Sequence, residues 1–346
     1  MAKKEKARFD YNAELRQLKE LGPERLYLLC GEEDYLREAY LEELKKMCLA
    51  GGEADFNYKR LNGASLELGE LSQAVDAVPF FAEHTLVEVR DYDVNRCREG
   101  ELERLKAILG DLPAYCTLVF VFASNYELDG RLSSVRTMKK LGRCIEFTAQ
   151  GQAALVGWIG KRFAAQGKSI SRQDAEYLIF NAGSLMNHLI PEIEKLAAGV
   201  RGETVTARDI DELVQRLPEA DAFTMTDLLG LGKFDDAARL LGELLAKREE
   251  PIKILALVGM QMRRVFAVKL AMRENRSRSE MMELCGVKFD FILQKLQQSA
   301  RQYTLAQLKE ILELCAEYDY KMKSSGQDGT ELLKEHFSRM AACVKC

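Results

Sequence analysis

The segment "CTLVFVFA", residues 116 to 123, is apolar on both of its faces. Side chains alternate across a strand, so a β-rich run that is apolar at both parities has to be covered from two sides. A parallel sheet with helices on each face meets that condition. Four more β-rich runs lie in the same region: "LYLLC" (26 to 30), "FNYKRL" (56 to 61), "TLVEVR" (85 to 90) and "RCIEF" (143 to 147). Between them, residues 34 to 49, 66 to 77, 100 to 110 and 131 to 141 carry helix formers at helical spacing. Crossovers of that length join parallel strands, which predicts a doubly wound, largely parallel α/β sheet.

After about residue 149 the strand signals stop. Helices are expected near 151 to 166, 171 to 182 and 184 to 199, with a fourth at "TARDIDELV", where Thr206 is a good N-cap. From Glu219 onward longer helices are expected at 222 to 230, 233 to 247, 250 to 273, 277 to 285, 288 to 301, 304 to 323 and 329 to 342. The fold class is therefore α/β plus all-α in three parts: an α/β domain over 1–148, a small helical domain over 149–217 and a larger helical domain over 218–346. A chain of 346 residues with 47% hydrophobic and 30% charged residues can bury cores of that size. Its net charge of −4 confines any nucleic-acid surface to local patches. The N-terminus "MAKKEKARFDYN" is charged and no apolar run reaches ~18 residues, so neither a leader nor a membrane span is expected and the cytoplasm is the expected compartment. Nine cysteines, Cys30, Cys116 and Cys315 among them, sit mostly in apolar segments and read as reduced small hydrophobes.

"LYLLCGEEDYLREAYLEEL", residues 26 to 44, has the strand–glycine–helix layout that opens a phosphate-binding domain. A P-loop turns backbone N–H groups onto phosphates and neutralises them with a lysine. Here Gly31 is followed by Glu32, Glu33 and Asp34, three carboxylates that would repel a triphosphate. The layout of a nucleotide site is present without its chemistry.

That segment, together with "AVPFFAEHTLVEV", "HLIPEIEKLAA" and "YTLAQLKEILELCAEYDYKMKSSG" in the same order along the chain, resembles the delta subunits of bacterial DNA polymerase III clamp loaders. The resemblance covers nearly the whole chain and implies an AAA+-like domain that does not bind ATP, a helical lid and a helical collar. The implied partners are the β sliding clamp, the motor (gamma/tau) and delta-prime subunits, and primer-template DNA bound without sequence preference. No cofactor and no catalytic residue are implied.

Pro79 breaks the preceding helix, which puts Phe80 and Phe81 at a helix end beside a short loop, and at most one of two such neighbours is expected to point into the core. An exposed ring there is an anchor for a greasy pocket, and in the proteins this chain resembles that position holds the wedge that enters the clamp. Buried aromatics capping the sheet are the simpler alternative. Two basic clusters stand out. Arg131, Arg136, Lys139, Lys140 and Arg143 form one; Arg263, Arg264, Lys269, Arg273, Arg276, Arg278, Lys288, Lys295 and Arg301 form the other. The resemblance implies phosphate contacts from Arg131, Arg136, Lys139, Lys140, Arg263, Arg264, Arg273, Arg276 and Arg278, whereas charge patterning alone makes solvated helix faces of them. Tyr318 and Tyr320 offer rings for stacking on a duplex end.

"GRCIEF" matches only two residues of the Ser-Arg-Cys of motor and partner subunits, since Gly142 replaces the serine, and an arginine finger at Arg143 is not expected. Cys343 and Cys346 are a lone CxxC, with His336 the nearest third ligand, and no metal site is expected. "GLG" at 230 to 232 lies between helices and fails the dinucleotide context test. Two alternatives remain: a delta-prime-like stator, which calls for an intact Ser-Arg-Cys, and an ATPase with an unorthodox phosphate loop.

Overall fold

The computed structural model describes residues 9–50, 54–287 and 289–345. They form two compact units, Met1–Gln150 with Leu185–Asn187, and Gly151–Ser184 with His188–Cys346.

The first unit contains β1 (Leu26–Cys30), β2 (Tyr58–Asn62), β3 (Thr85–Arg90), β4 (Cys116–Val121) and β5 (Arg143–Glu146), all parallel in the order β2-β3-β4-β1-β5. β1 and β4 are buried at every residue, and Leu28 pairs with Phe120 on one side and Cys144 on the other. The edge strand β2 exposes Lys59 and Arg60, charges that discourage pairing with another chain. Six helices accompany the sheet: α1 (Tyr11–Leu21), α2 (Asp34–Cys48), the single turn α3 (Ala54–Asn57), α4 (Leu68–Val75), α5 (Glu99–Gly110) and α6 (Ser133–Leu141). α2 buries Leu36, Tyr40, Leu41, Leu44 and Cys48 at helical spacing, with Asp34 in its first turn and Lys45 and Lys46 in its last, the polarity its dipole favours. On β3, Glu88 is fully buried but paired: it accepts from the Tyr58 hydroxyl at 2.6 Å, lies 3.2 Å from the Lys45 ammonium and bonds Arg90. A buried carboxylate persists only with such partners.

The second unit is helical: α7 (Gln152–Ala165), α8 (Arg172–Ala182), α9 (Met186–Gly199, its first two residues belonging to the first unit), α10 (Ala207–Leu213), α11 (Pro218–Gly230), α12 (Phe234–Ala246), α13 (Pro251–Arg273), α14 (Arg278–Cys285), α15 (Asp290–Gln302), α16 (Leu305–Ser324) and α17 (Gly329–Lys345). α13 is its axis. Ile254, Leu255, Val258, Met262, Val265 and Val268 are buried, and the helix packs against α11, α14, α15, α16 and α17. The eight described cysteines carry free thiols, and among the described residues no helix is long and apolar enough to cross a membrane.

Three elements differ from expectation. Two-residue strands β6 (Ser169–Ile170) and β7 (Thr204–Val205) pair in parallel within the region expected to be wholly helical. They are too short for any periodicity to register, and side-chain bonds help hold them, Lys168 Nζ donating to the carbonyls of Val200 and Gly202 at 2.7 Å. "FNYKRL" begins as the end of α3 and becomes strand only at Tyr58. α1 precedes the first element read from the sequence, and Asp10 caps it by accepting from the N–H groups of Asn12 and Ala13.

Gly31 joins β1 to α2 with φ +112°, and a Cβ there would stand 2.3 Å from the Phe147 carbonyl oxygen. Gly31→Ala is expected to destabilise the chain by roughly 2–3 kcal/mol in urea unfolding, from left-handed strain plus overpacking. Gly69→Ala, inside α4 with open space around its Cβ, is expected to be neutral or stabilising by up to ~1 kcal/mol.

Candidate functional site

In an open parallel sheet, ligands bind outside the carboxyl ends of the strands where the connections diverge. In this sheet that point lies beyond β1, β4 and β5, and a cleft of about 550 Å³ occupies it, lined by Gly31, Glu32, Tyr126, Glu127, Lys139 and Glu146 among others. Three carboxylates face one ammonium. The turn after β1 is also spent on protein: the Glu33 N–H donates to the Phe147 carbonyl at 3.0 Å, the Phe147 N–H to the Cys30 carbonyl at 2.8 Å, and Arg37 Nη1 to the Gly31 carbonyl at 2.9 Å. Arg37 in turn is held by Asp34. Charge and hydrogen bonding therefore both disfavour a phosphate at this turn. Glu33 itself is fully buried; its Oε2 accepts from the Met186 N–H at 3.2 Å, while Oε1 has no partner among the described residues.

The opposite end of the sheet has a different character. The loop from α4 into the amino end of β3 carries Phe80, 48% exposed, and Phe81, 82% exposed. Their rings meet edge-on with centroids 4.5 Å apart. Both rings project, and neither points into the core. The reason is local: Phe81 adopts φ +47°, a left-handed geometry that turns the chain within one residue. Phe56 and Val78, which sequence reasoning missed, are exposed as well, and the Phe56 ring lies 5.2 Å from that of Phe80. Phe56 was hidden by its place in a run read as strand. Asn57, 3% exposed, bonds the loop's backbone: the Phe80 N–H donates to its Oδ1 at 2.7 Å and its Nδ2 donates to the Phe80 carbonyl at 2.8 Å. Phe56, Phe80 and Phe81 thus meet ring to ring, and with Val78 they are four exposed apolar side chains.

The basic residues divide by what holds them. Arg131, Arg136, Lys139 and Lys140 are exposed, on α6 or just before it, although Arg131 is bonded to both oxygens of Asp129. Arg143 is bound within its own unit, to Glu14 at 2.5 Å, Gln17 at 2.6 Å and Glu24 at 3.1 Å, an arrangement that leaves it no reach as a finger. In the second cluster Arg264 donates to the Cys285 carbonyl at 3.1 Å and Lys269 to the Ala300 carbonyl at 2.8 Å. The Lys295 ammonium lies 5.1 Å from the ring centre of Tyr177 and 5.2 Å from that of Phe180, and burial pushes its pKa down. Arg276 pairs with Glu274 at 2.8 Å, and Arg278 with Asp290. Among the described residues, Arg136, Lys140, Arg263 and Arg273 have no ion-pair partner. Lys288 lies outside the described residues.

Tyr320 is exposed, but Tyr318 is a correction: it is fully buried, its ring 5.3 Å from that of His336 and 4.5 Å from the Lys321 ammonium. α16 turns about 200° between residues two apart, so the two tyrosines face opposite ways. His336 is likewise a core residue, its Nε2 3.5 Å from Cys315 Sγ, and burial pushes its pKa down to about 4. Cys343 is buried and Cys346 lies outside the described residues; among those described, no group of three or more ligating side chains is placed to hold a metal.

Residues 27–148 match the family model described as DNA polymerase III, delta subunit, and residues 219–338 match the one described as DNA polymerase III delta subunit, C-terminal domain. Together they cover more than two thirds of the chain. The DNA polymerase III subunit delta of Bacillus subtilis (strain 168) is 26% identical over 320 residues, 89% of this chain and 90% of that protein. The probable DNA polymerase III subunit delta of Aquifex aeolicus (strain VF5) is 21% identical over 320 residues, 90% of each. The solved structure of the Bacillus subtilis DNA clamp loader delta protein matches in fold with a TM-score of 0.52 at 23% identity, covering 96% of this chain and 100% of that one.

The turn after β1 has a testable electrostatic signature. Burial pushes the Glu33 carboxyl from its usual 4.5 up to about 7. The folded state then binds this proton more tightly than the unfolded state, so the contribution is fully present below about pH 4.5 and is lost as pH rises through about 7. Glu33→Gln, neutral throughout, is expected to raise stability over the unaltered chain at pH 8 by on the order of 1–3 kcal/mol, with the difference vanishing near pH 4, in urea unfolding at the two pH values.

Proposed function

The chain belongs to the DNA polymerase III delta-subunit family, and from that premise we propose that it is the clamp-loader component that binds the β sliding clamp and opens it for loading onto primed DNA. The exposed pair Phe80 and Phe81 is the observation that carries this reading. Rings held out on a rigid loop gain most of their burial only when a partner covers them. Anchors of this kind typically contribute ~2 kcal/mol or more each. Phe56 and Val78 widen the same patch.

Opening a closed ring by binding needs no bond chemistry. The open form of the clamp has to bind more tightly than the closed form, and the difference in affinity sets the shift; reversing a 1:99 ratio takes ~5.5 kcal/mol of it. The acidic, internally bonded cleft beyond β1 supports a subunit that leaves ATP to its motor partners and is no enzyme on its own. In this reading residues 1–148 hold the clamp, 149–217 act as the lid, and 218–346 are the collar that joins the gamma/tau and delta-prime subunits. The assembly works in the cytoplasm. Arg131, Arg136, Lys139, Lys140, Arg263, Arg264, Arg273, Arg276, Arg278 and Tyr320 face DNA without reading its sequence. Within that set Arg136, Lys140, Arg263 and Arg273 are the readiest phosphate contacts, because their charges are not already paired.

Equilibrium titration of the purified chain with its β clamp, without ATP, is expected to show tight binding that the Phe80→Ala/Phe81→Ala variant weakens by about 100-fold or more at an unchanged melting temperature. Saturable ATP binding by the isolated chain, or no clamp binding at all, would overturn the proposal. For the assembled loader on primed DNA, replacing Arg136, Lys140, Arg263 and Arg273 by alanine is expected to flatten the dependence of log affinity on log salt by about 0.9 for each residue that meets a phosphate.

A further inference from the structure

The aromatic loop does not stand out unaided. α3 ends at Asn57, and β2 begins at the next residue beside β3, with Tyr58 opposite Leu86. This register brings the Asn57 side chain to the amino end of the sheet, where the loop from α4 arrives. A single carboxamide then satisfies both backbone polar groups of Phe80, at 2.7 and 2.8 Å, across 23 residues of sequence. The pairing has the two-point geometry of a strand ladder, and with Asn57 3% exposed it is shielded from competing water. The residue before it, Phe56, sets its ring against that of Phe80, so adjacent residues of one short turn hold both the ring and the backbone.

Beside this clamp a bulky residue takes a conformation it seldom adopts, Phe81 at φ +47°. Left-handed geometry at a non-glycine residue persists where its surroundings over-determine it. Here the fixed point is Phe80, one residue away. Without the amide clamp, Phe81 is free to return to an extended conformation, and the pair of rings would sample many directions. A partner would then have to order the loop on binding and would lose affinity for doing so.

We propose that Asn57 is the positioning residue that presents Phe80 and Phe81 to the clamp. The inference rests on the reading of that pair as the clamp contact. Asparagine is specific for the role, because its amide supplies one acceptor and one donor at the spacing of a peptide group. Alanine removes both. Aspartate keeps the size and the acceptor but sets a carboxylate against the Phe80 carbonyl.

The test uses the full chain and its β clamp, with Asn57→Ala and Asn57→Asp made both in the unaltered chain and in the Phe80→Ala/Phe81→Ala variant. Hydrogen exchange of the Phe80 amide is followed in the free protein. Asn57→Ala is expected to lose protection at Phe80, and both Asn57 variants to weaken clamp binding by roughly tenfold or more at a melting temperature that keeps the chain folded. In the Phe80→Ala/Phe81→Ala background the same changes are expected to alter affinity by less than about twofold, since nothing remains to be presented. An asparagine that only stabilised the fold would show no such dependence on the rings. Clamp affinity within twofold of the unaltered chain in the folded Asn57 variants overturns this inference and leaves the clamp contact standing. A loss of the same size with and without the rings overturns it too. Failure of the unaltered chain to bind the clamp removes the functional reading, and this inference with it. Should Asn57→Ala fail to fold, Asn57→Asp decides by the same criteria.

Discussion

Burial of β1 and β4 on both faces is the constraint that shapes the first unit. Two adjacent strands without a wet face need helices above and below, and only crossover connections deliver helices to both sides of one sheet. Crossovers force the strands parallel. Parallel strands bring every loop that leaves the sheet to one end and every loop that enters it to the other. The cleft beyond β1 and the aromatic loop before β3 are therefore separated by the length of the sheet as a direct result of how Leu28 and Phe120 are buried.

The two ends differ in how they treat unsatisfied chemistry. At the carboxyl end, groups that would serve a phosphate are bonded to protein: the Glu33 N–H is taken by the Phe147 carbonyl, and the Arg37 guanidinium by the Gly31 carbonyl and Asp34. At the amino end, hydrophobic rings are left without cover while the backbone beneath them is fully bonded to Asn57. Polar groups are paired at one end, and apolar groups are left exposed at the other.

Most of this architecture was legible in the sequence wherever a physical pattern extends over several residues. The five strands and the long helices carry a period and a length, and these survive without coordinates. Features held by one or two contacts did not. β6 and β7 have two residues each, too few to show alternation. α1 was not among the elements read, although Asp10 signals a cap. Tyr318 and Tyr320 are indistinguishable by type, and only the packing of α16 assigns one to the core and the other to solvent. The same holds for the lysines and arginines, since Arg264 and Lys269 look as free as Arg263 until their carbonyl partners are in place. Phe80 and Phe81 were found because proline and a helix end make a local signal, whereas Phe56 became part of the patch only through the pairing of β2 with β3.

The turn at Gly31 also bears on engineering. The Phe147 carbonyl oxygen occupies the space beside Gly31, and the neighbouring N–H of Glu33 is committed to it. Adding a lysine or removing one carboxylate would leave that oxygen in place, so making an anion site here would take more than one such change. Each intermediate on such a path would surrender existing bonds before gaining new ones. The turn behaves as a locked joint: with the chain after β5 closed onto the end of β1 in this way, an anion could enter only at the expense of bonds the fold already makes.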